Sequence, residues 1–293
     1  MVMKDRNASV LECPGCLNTE WRLFLVSNGR DILRCVACGL LAVHPRPSLE
    51  EIRRLFEEDY IRDESRVEQD FTTFRAASLA REAALLRSLR PRGGTLLDLG
   101  TASGAFLGEF AGFPEWRVEG VEPSRYAAQA ASARYGVPVH QGFLAQQQFP
   151  DAAFDVVTSL DGFYFHPEPA ADLRELARII KPGGVLAIEI PGLRFRLLKN
   201  SGWICRLLYG ISARLNAGVH LFYYSRVTLG RMAARFGFQE LSAHPEQAPV
   251  YGSAGMRFLN RLYYGFSATV YRVSGGVLNL APKEFILYQR RDP

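Results

Sequence analysis

A chain of 293 residues, 48% hydrophobic and 22% charged, holds enough apolar material for one large domain and a small companion. No apolar run approaches the roughly 20 residues of a bilayer span. The opening Met-Val-Met-Lys-Asp-Arg-Asn has no signal-peptide core, so cytoplasmic residence is the expectation. The net charge of +5 is uneven: from Ile190 onward fourteen Lys and Arg face four acids, Glu240, Glu246, Glu284 and Asp292. Eight of those basic residues lie between Glu189 and Glu240 with no acid among them, which favours an anionic partner over an ordinary solvated face. A phosphorylated small molecule, a nucleic acid or an anionic membrane surface would each fit.

Four of the five cysteines form two Cys-x-x-Cys pairs, Cys13 with Cys16 and Cys35 with Cys38, separated by eighteen residues. Each pair presents two thiolates from one turn, and two such turns supply the four sulfurs of a tetrahedral zinc site. Disulfides are the competing reading, but nothing in the sequence points to secretion. Between the pairs, Trp21 to Val26 and Asp31 to Leu33 read as short strands around the turn-forming Ser27-Asn28-Gly29. A zinc ribbon is therefore expected over residues 10–43. A closed four-cysteine site leaves no open coordination position, so its expected role is folding or docking rather than chemistry.

Residues 44–92 read as a linker and N-terminal helices. His44-Pro-Arg-Pro47 is stiff and turn-prone, and Ser48-Leu-Glu-Glu51 is a capping box that starts a helix to about Asp59. A longer helical pattern runs from Val67 to Leu89, with Phe71, Phe74, Leu79, Ala83 and Leu86 on one face. Its aromatics read as core, with a lid over a nearby site as the sharper alternative.

From residue 93 onward, strands and helices alternate. An apolar strand from Thr95 ends around Asp98 and turns through Gly100-Thr-Ala-Ser-Gly104 into a helix, Ala105 to Phe110. Glycine at such a turn permits the close backbone approach that a nucleoside-containing ligand requires. The next strand ends at Glu122, about 20 positions beyond the turn, where an acid is placed to accept both hydroxyls of a ribose. The plainer reading of Glu122 is a helix N-terminal charge, since Pro123-Ser124 opens a helix to Tyr135. Strands follow at Val137 to His140, Phe154 to Leu160 and Val185 to Ile190, with a helix from Pro169 to Ile180 and a turn at Lys181-Pro-Gly-Gly184. This rhythm means an α/β fold with a mostly parallel, doubly wound sheet.

Four segments carry a resemblance in their order: Leu97 to Leu107, Gly120-Val-Glu-Pro123, Phe154-Asp-Val-Val157 and Leu176 to Leu186. They resemble the glycine turn, ribose-binding acid, fourth strand and approach to the fifth strand of the class I S-adenosylmethionine-dependent methyltransferases. The resemblance implies a Rossmann-like sheet of seven strands, its antiparallel end formed by Gln239 to His244 and Phe285 to Arg290. It implies S-adenosylmethionine as cofactor, contacted by Asp98, Gly100, Thr101, Ala102, Ser103, Gly104, Glu122, Phe143, Leu144 and Leu160. Some members also carry a four-cysteine ribbon and Pro-rich linker ahead of this core, and several act on sugars or other biosynthetic intermediates. The chain departs from the family at Ala102, where a glycine is usual, and at Phe143-Leu144, which offers no acid. It departs again at Phe163-Tyr164-Phe165, which stands where many relatives read Leu-Glu-His and leaves His166 displaced by one position.

Methyl transfer by in-line displacement needs a held nucleophile and, where that nucleophile is protonated, a general base. Candidate bases are Asp161, Tyr164, His166 and His220, each with a plainer reading as a packed or exposed polar residue. His220-Leu-Phe-Tyr-Tyr-Ser225 resembles the His-Leu-x-x-Phe-Ser segment of the ribbon-bearing relatives, which makes His220 the preferred one. Residues 191–225 form an insertion of the kind that caps the substrate side in this family. Within it, Leu193 to Lys199 and Trp203 to Leu215 read as cap helices, or more sharply as a basic amphipathic surface for a lipid. Ser225 caps a helix to Phe236, closed by Gly237. Residues 249–282, with a helical stretch near Arg257 to Tyr271, are far longer than a hairpin loop.

The expected function is methyl transfer to a small, anionic biosynthetic intermediate: a nucleotide sugar, a lipid-linked or a polyketide-type product. RNA methylation is the alternative within the class, although no aromatic-plus-basic binding motif is present. A non-catalytic cofactor-binding scaffold that docks through its ribbon is the alternative outside it. The acceptor atom and the oligomeric state are left open.

Overall fold

The computed structural model describes residues 12–62, 75–199, 201, 215, 220–247 and 254–291. Trp21–Ser27 (β1) and Arg30–Cys35 (β2) pair as a hairpin. Asn28 and Gly29 turn it with φ of 51° and 72°, the left-handed pair that a two-residue turn requires. Leu41–His44 (β3) adds antiparallel to β2. The predicted capping box then closes: the Ser48 N–H donates to Glu51 Oε2 at 2.7 Å, and the Glu51 N–H to Ser48 Oγ at 3.2 Å. It starts α1, Leu49–Arg62. Helix α2, Ala76–Leu89, buries Leu79, Ala83 and Leu86. The predicted Phe71 and Phe74 lie outside the described residues.

The main sheet has seven strands: Gly94–Leu99 (β4), Trp116–Glu122 (β5), Val139–Gln141 (β6), Phe154–Leu160 (β7), Ile180–Pro191 (β8), Phe238–Glu246 (β10) and Lys283–Arg290 (β11). Their order is β10-β11-β8-β7-β4-β5-β6. The pairs from β8 to β6 are parallel, and β11 runs antiparallel to both β8 and β10. This is the α/β, Rossmann-like sheet with the expected antiparallel end. Helices Ala105–Gly108 (α3), Arg125–Tyr135 (α4) and Pro169–Ile179 (α5) connect the parallel strands. The Lys181 to Gly184 turn lies within β8 rather than ahead of it. Ile180 pairs with Phe154 and Val185 with Val156, so the extra residues form a bulge, with Gly183 at φ 69°.

Neighbouring residues along the strands enter opposite cores. Leu96, Val156 and Leu287 pack with Leu79, Leu86 and Phe106, whereas Leu97, Val157 and Ile286 pack with Leu173, Leu176 and Met232. Burial on both faces is what a helix-covered parallel sheet demands, and it explains why these strands are continuously apolar.

After β8 come α6, Leu193–Lys199, and β9, Phe222–Tyr223. Between them, residues 200, 202–214 and 216–219, with most of the Trp203 to Leu215 pattern, lie outside the described residues. Strand β9 joins the N-terminal sheet, giving the order β1-β2-β3-β9. Leu41 faces Tyr223, Ala42 faces Phe222, and the Val43 N–H donates to the Leu221 carbonyl at 2.9 Å. The cysteine-bearing hairpin therefore shares a sheet with the segment that follows the insertion. Helix α7, Arg226–Ala234, begins under the Ser225 hydroxyl, which accepts the Thr228 N–H at 3.2 Å. Helix α8, Ala254–Val273, fills the stretch ahead of β11. No helix among the described residues is long and apolar enough to cross a membrane.

Candidate active site

The C-terminal ends of β7, β4, β5 and β6 lie side by side, the edge at which open α/β sheets bind ligands. From β4 to α3 the chain passes through the left-handed region at Gly100 (φ 76°), Ala102 (φ 53°) and Gly104 (φ 77°). Open space lies where a Gly100 Cβ would sit, whereas one at Gly104 would come within 2.9 Å of Ala131 and Tyr135. Alanine at such a φ costs about 1 kcal/mol. Ala102 is held there by its own N–H, which donates to Glu122 Oε2 at 2.9 Å. The other Glu122 oxygen accepts the Ser124 N–H at 3.0 Å.

Burial pushes Glu122 up to about 7 and Asp98 up to about 6. The Thr158 hydroxyl donates to Asp98 at 2.5 Å, and no cation lies within ion-pair distance of either carboxyl among the described residues. Ser103 Oγ, in the same turn, has no partner among the described residues. Two buried acids, an open turn and an orphaned hydroxyl suit a ligand that is cationic and rich in hydroxyls. The Gly142 N–H donates to the Glu122 carbonyl at 2.9 Å, which brings Phe143 and the buried Leu144 alongside; Leu160 is buried at the end of β7. Helix α1 reaches the rim of this site. Glu57 accepts the Arg125 N–H at 3.0 Å, and Phe56 packs edge-on to Phe165 at 5.2 Å. A groove of about 280 Å³ runs between α1 and Pro123, Arg125 and Gln141.

Beyond β7 lies a buried ion cluster. Lys283 donates to Asp161 and, at 2.6 Å, to Glu189; Arg75 donates to Glu189 at 2.9 Å and lies 3.6 Å from Asp161. Burial alone would raise Asp161, but Lys283 and Arg75 hold it down at about 2. Burial and the neighbouring Glu189 push Glu82 well above the carboxylate range. The Tyr164 hydroxyl donates to Asp161 at 3.2 Å. Asp161 is thus an ion-paired carboxylate.

The His220 ring stacks on Tyr164 at 4.3 Å and on Tyr223 at 5.7 Å, nearly parallel to both. The Arg196 Nη1 lies 3.1 Å from its Nδ1. Burial, with Arg196 beside it, lowers His220 to about 3, so the imidazole is neutral. These residues, with Leu193, Tyr224 and the end of β8, surround a cavity of about 10 Å³, room for one water. The Tyr223 and Tyr224 hydroxyls are buried without partners among the described residues. His166 sits elsewhere, its Nδ1 2.7 Å from Asp172 in the first turn of α5.

Comparison with known proteins gives this geometry a lineage. A family model described as "Methyltransferase domain" matches residues 71–243, more than half of the chain. The chain belongs to that family. Over 97 residues, 33% of its length, it is 30% identical to demethylmenaquinone methyltransferase of Chlorobaculum parvum, covering 40% of that protein. Over 113 residues, 38% of its length, it is 32% identical to ubiquinone biosynthesis O-methyltransferase of Paramagnetospirillum magneticum, covering 45% of that protein. The matched stretch thus spans less than half of these curated relatives. Among solved structures, the 1,6-didemethyltoxoflavin-N1-methyltransferase of Burkholderia thailandensis superposes with a TM-score of 0.54 at 14% identity, covering 92% of this chain and 100% of that one. A chain from the complex between the Haloferax volcanii Trm112 methyltransferase activator and a methyltransferase gives 0.54 at 18% identity, covering 84% and 100%. At these identities the likeness is one of fold.

Within this methyltransferase domain the structure gathers the predicted Asp98, Gly100 to Gly104, Glu122, Phe143 and Leu144 along one edge. It gathers Asp161, Tyr164 and His220 at the neighbouring end of β7 and β8. Sequence reading missed Arg75, Glu82, Glu189, Arg196 and Lys283. Glu189 carried a legible signal, a lone acid inside the apolar run Val185 to Ile190, since a buried charge needs a partner. Lys283 and Arg75 carried none locally.

The four cysteines converge as free thiols. Cys13 and Cys38 sulfurs lie 3.5 Å apart, as do those of Cys16 and Cys35, and all four fall within 4.8 Å of one another. Sulfurs at about 2.3 Å from a tetrahedral zinc ion would stand about 3.8 Å apart, so this donor set fits such an ion.

Proposed function

We propose that the chain methylates a small, anionic biosynthetic intermediate bearing a planar ring, of lipid-linked or polyketide type, with S-adenosylmethionine as donor. One observation carries the acceptor class: the wall of Tyr164, His220 and Tyr223, with the Arg196 cation and the unpartnered Tyr223 hydroxyl beside it. A flat ring stacks on such a wall, an anionic oxygen meets the guanidinium, and a ring oxygen satisfies the Tyr223 hydroxyl. The curated relatives named for demethylmenaquinone and for ubiquinone biosynthesis are consistent with a ring-bearing acceptor. The cavity now has room for one water, so the acceptor enters by parting the wall carried by α6 and β9.

Asp98, Gly100 to Gly104 and Glu122 would hold the donor, with Glu122 toward its ribose and Phe143, Leu144 and Leu160 as apolar contacts. When bound, it supplies an electrophilic methyl group on a cationic sulfur. The chain's own work is to orient the acceptor and exclude water. His220, neutral and held near 3, is a weak base. Arg196 instead favours the ionised acceptor oxygen, which enters as the anion with its proton already lost to solvent, so no strong base is required. Cys13, Cys16, Cys35 and Cys38 hold a structural Zn²⁺ in this reading.

The test is incubation of the purified protein with methyl-labelled cofactor and a fractionated metabolite extract. Label should enter an acidic, ring-bearing small-molecule fraction and be lost with Arg196→Met. Label in RNA would replace this reading with the nucleic-acid one. Cofactor binding without turnover on any fraction would favour the scaffold.

A further inference from the structure

Helix α8 has its polarity reversed. Its tyrosines face the domain: Tyr263, Tyr264 and Tyr271 donate their hydroxyls to the carbonyls of Leu280, Pro245 and Ala243 at 2.7, 2.9 and 2.6 Å. Five of its large apolar residues face outward. Phe258, Leu259, Leu262 and Phe266 are 61%, 60%, 56% and 58% exposed, and Val273 is 84% exposed. At 3.6 residues per turn these five form one stripe about 100° wide. The turn that follows exposes Val277 and Leu278 as well. A contiguous apolar surface of this kind marks an interaction site rather than scattered exposure.

The charge around the stripe says what kind of site. Helix α8 contains no acidic residue, and the exposed Arg261 and Arg272 run along one flank of the stripe. Neighbouring α6 exposes Arg194 and Lys199. The two helices are braced together: Phe195 packs on Tyr263 at 5.5 Å, and Arg194 donates to the Val277 carbonyl at 2.9 Å. A second copy docking antiparallel across the stripe would bring its basic flank against this one, Arg261 and Arg272 included, which is unfavourable. An anionic bilayer surface matches both the apolar stripe and the basic flank.

We propose that the outer face of α8, with the turn after it, seats the protein on an anionic lipid bilayer. The helix lies in the interface rather than across it, since it is not apolar enough to span. Leu193 and Arg196, which line the aromatic cavity, belong to α6, the helix that packs on α8 through Phe195 and Tyr263. The docking argument rests on exposure and charge and does not depend on methyl transfer.

The test uses the full chain in flotation with vesicles of equimolar phosphatidylglycerol and phosphatidylcholine, compared with phosphatidylcholine alone. Retention on the anionic vesicles is expected, weakened by high salt. It should fall about tenfold or more with Leu262→Gln combined with Phe266→Gln, and also with Arg261→Gln combined with Arg272→Gln. Unchanged binding of S-adenosylhomocysteine by these variants shows that they are folded. Equal retention by wild type and both variants would overturn the proposal, as would no retention at all. A dimer in sedimentation velocity that Leu262→Gln and Phe266→Gln dissolve would instead make the stripe an interface between copies.

Discussion

Glu122 and Asp98 decide how the proposed cofactor edge responds to pH. Burial raises both, to about 7 and about 6, so without a cation against them they hold protons close to neutrality. A raised carboxyl stabilises the ligand-free fold fully below its unfolded value, and that contribution is lost as pH rises through the raised one. A cationic ligand prefers the ionised carboxyls and must displace those protons. Affinity for S-adenosylmethionine should therefore climb as pH rises through 6 to 7 and level off above, with proton release visible by calorimetry in two buffers. Glu122→Gln should remove the upper step and weaken binding about tenfold; a flat pH profile in the wild type would contradict this account. The positions of these acids were legible because each closes an apolar strand at a fixed distance from the glycine turn. The strain at Ala102 was not, because a sequence names a side chain and not its φ.

At the level of elements, the ion cluster ties three strands and a helix together. Lys283 opens β11, Glu189 sits in β8, Asp161 follows β7, and Arg75 precedes α2. Breaking such a buried set leaves charges without partners, so Lys283→Met should destabilise the fold by about 3 kcal/mol in urea unfolding. Adding Glu189→Gln should recover part of that loss in a double-mutant cycle. A loss below about 1 kcal/mol would mean the cluster behaves as a solvated surface pair. The strands and helices themselves were readable wherever periodicity was sustained: Phe154–Leu160 matches its expected bounds, and Pro169–Ile179 ends one residue short. Strand β9 was not readable, since two residues carry no period. The cluster was not readable either, because its members lie as far apart as Arg75 and Lys283 and meet only through tertiary packing.

Across the whole molecule, the cysteine knuckles and the aromatic cavity are mechanically joined. Knuckles hold the β2–β3 end of the small sheet, β3 holds β9, and β9 supplies Tyr223 to the stack on His220. Cys13→Ser with Cys35→Ser should abolish a content of about one zinc per chain. Methyl transfer should fall with it while S-adenosylhomocysteine still binds at Glu122, a split that metal analysis and paired binding and turnover assays can read. Equal loss of both would point to general unfolding. The shared sheet also bears on ancestry. Under the proposed function, a cysteine-bearing module whose β3 pairs with the strand carrying Tyr223 supports the acceptor wall and is not a passive appendage. Replacing it would bare the backbone of Phe222 and Tyr223 and reshape the proposed acceptor wall in one stroke, so the cysteine module and acceptor preference are expected to descend as a single inherited unit.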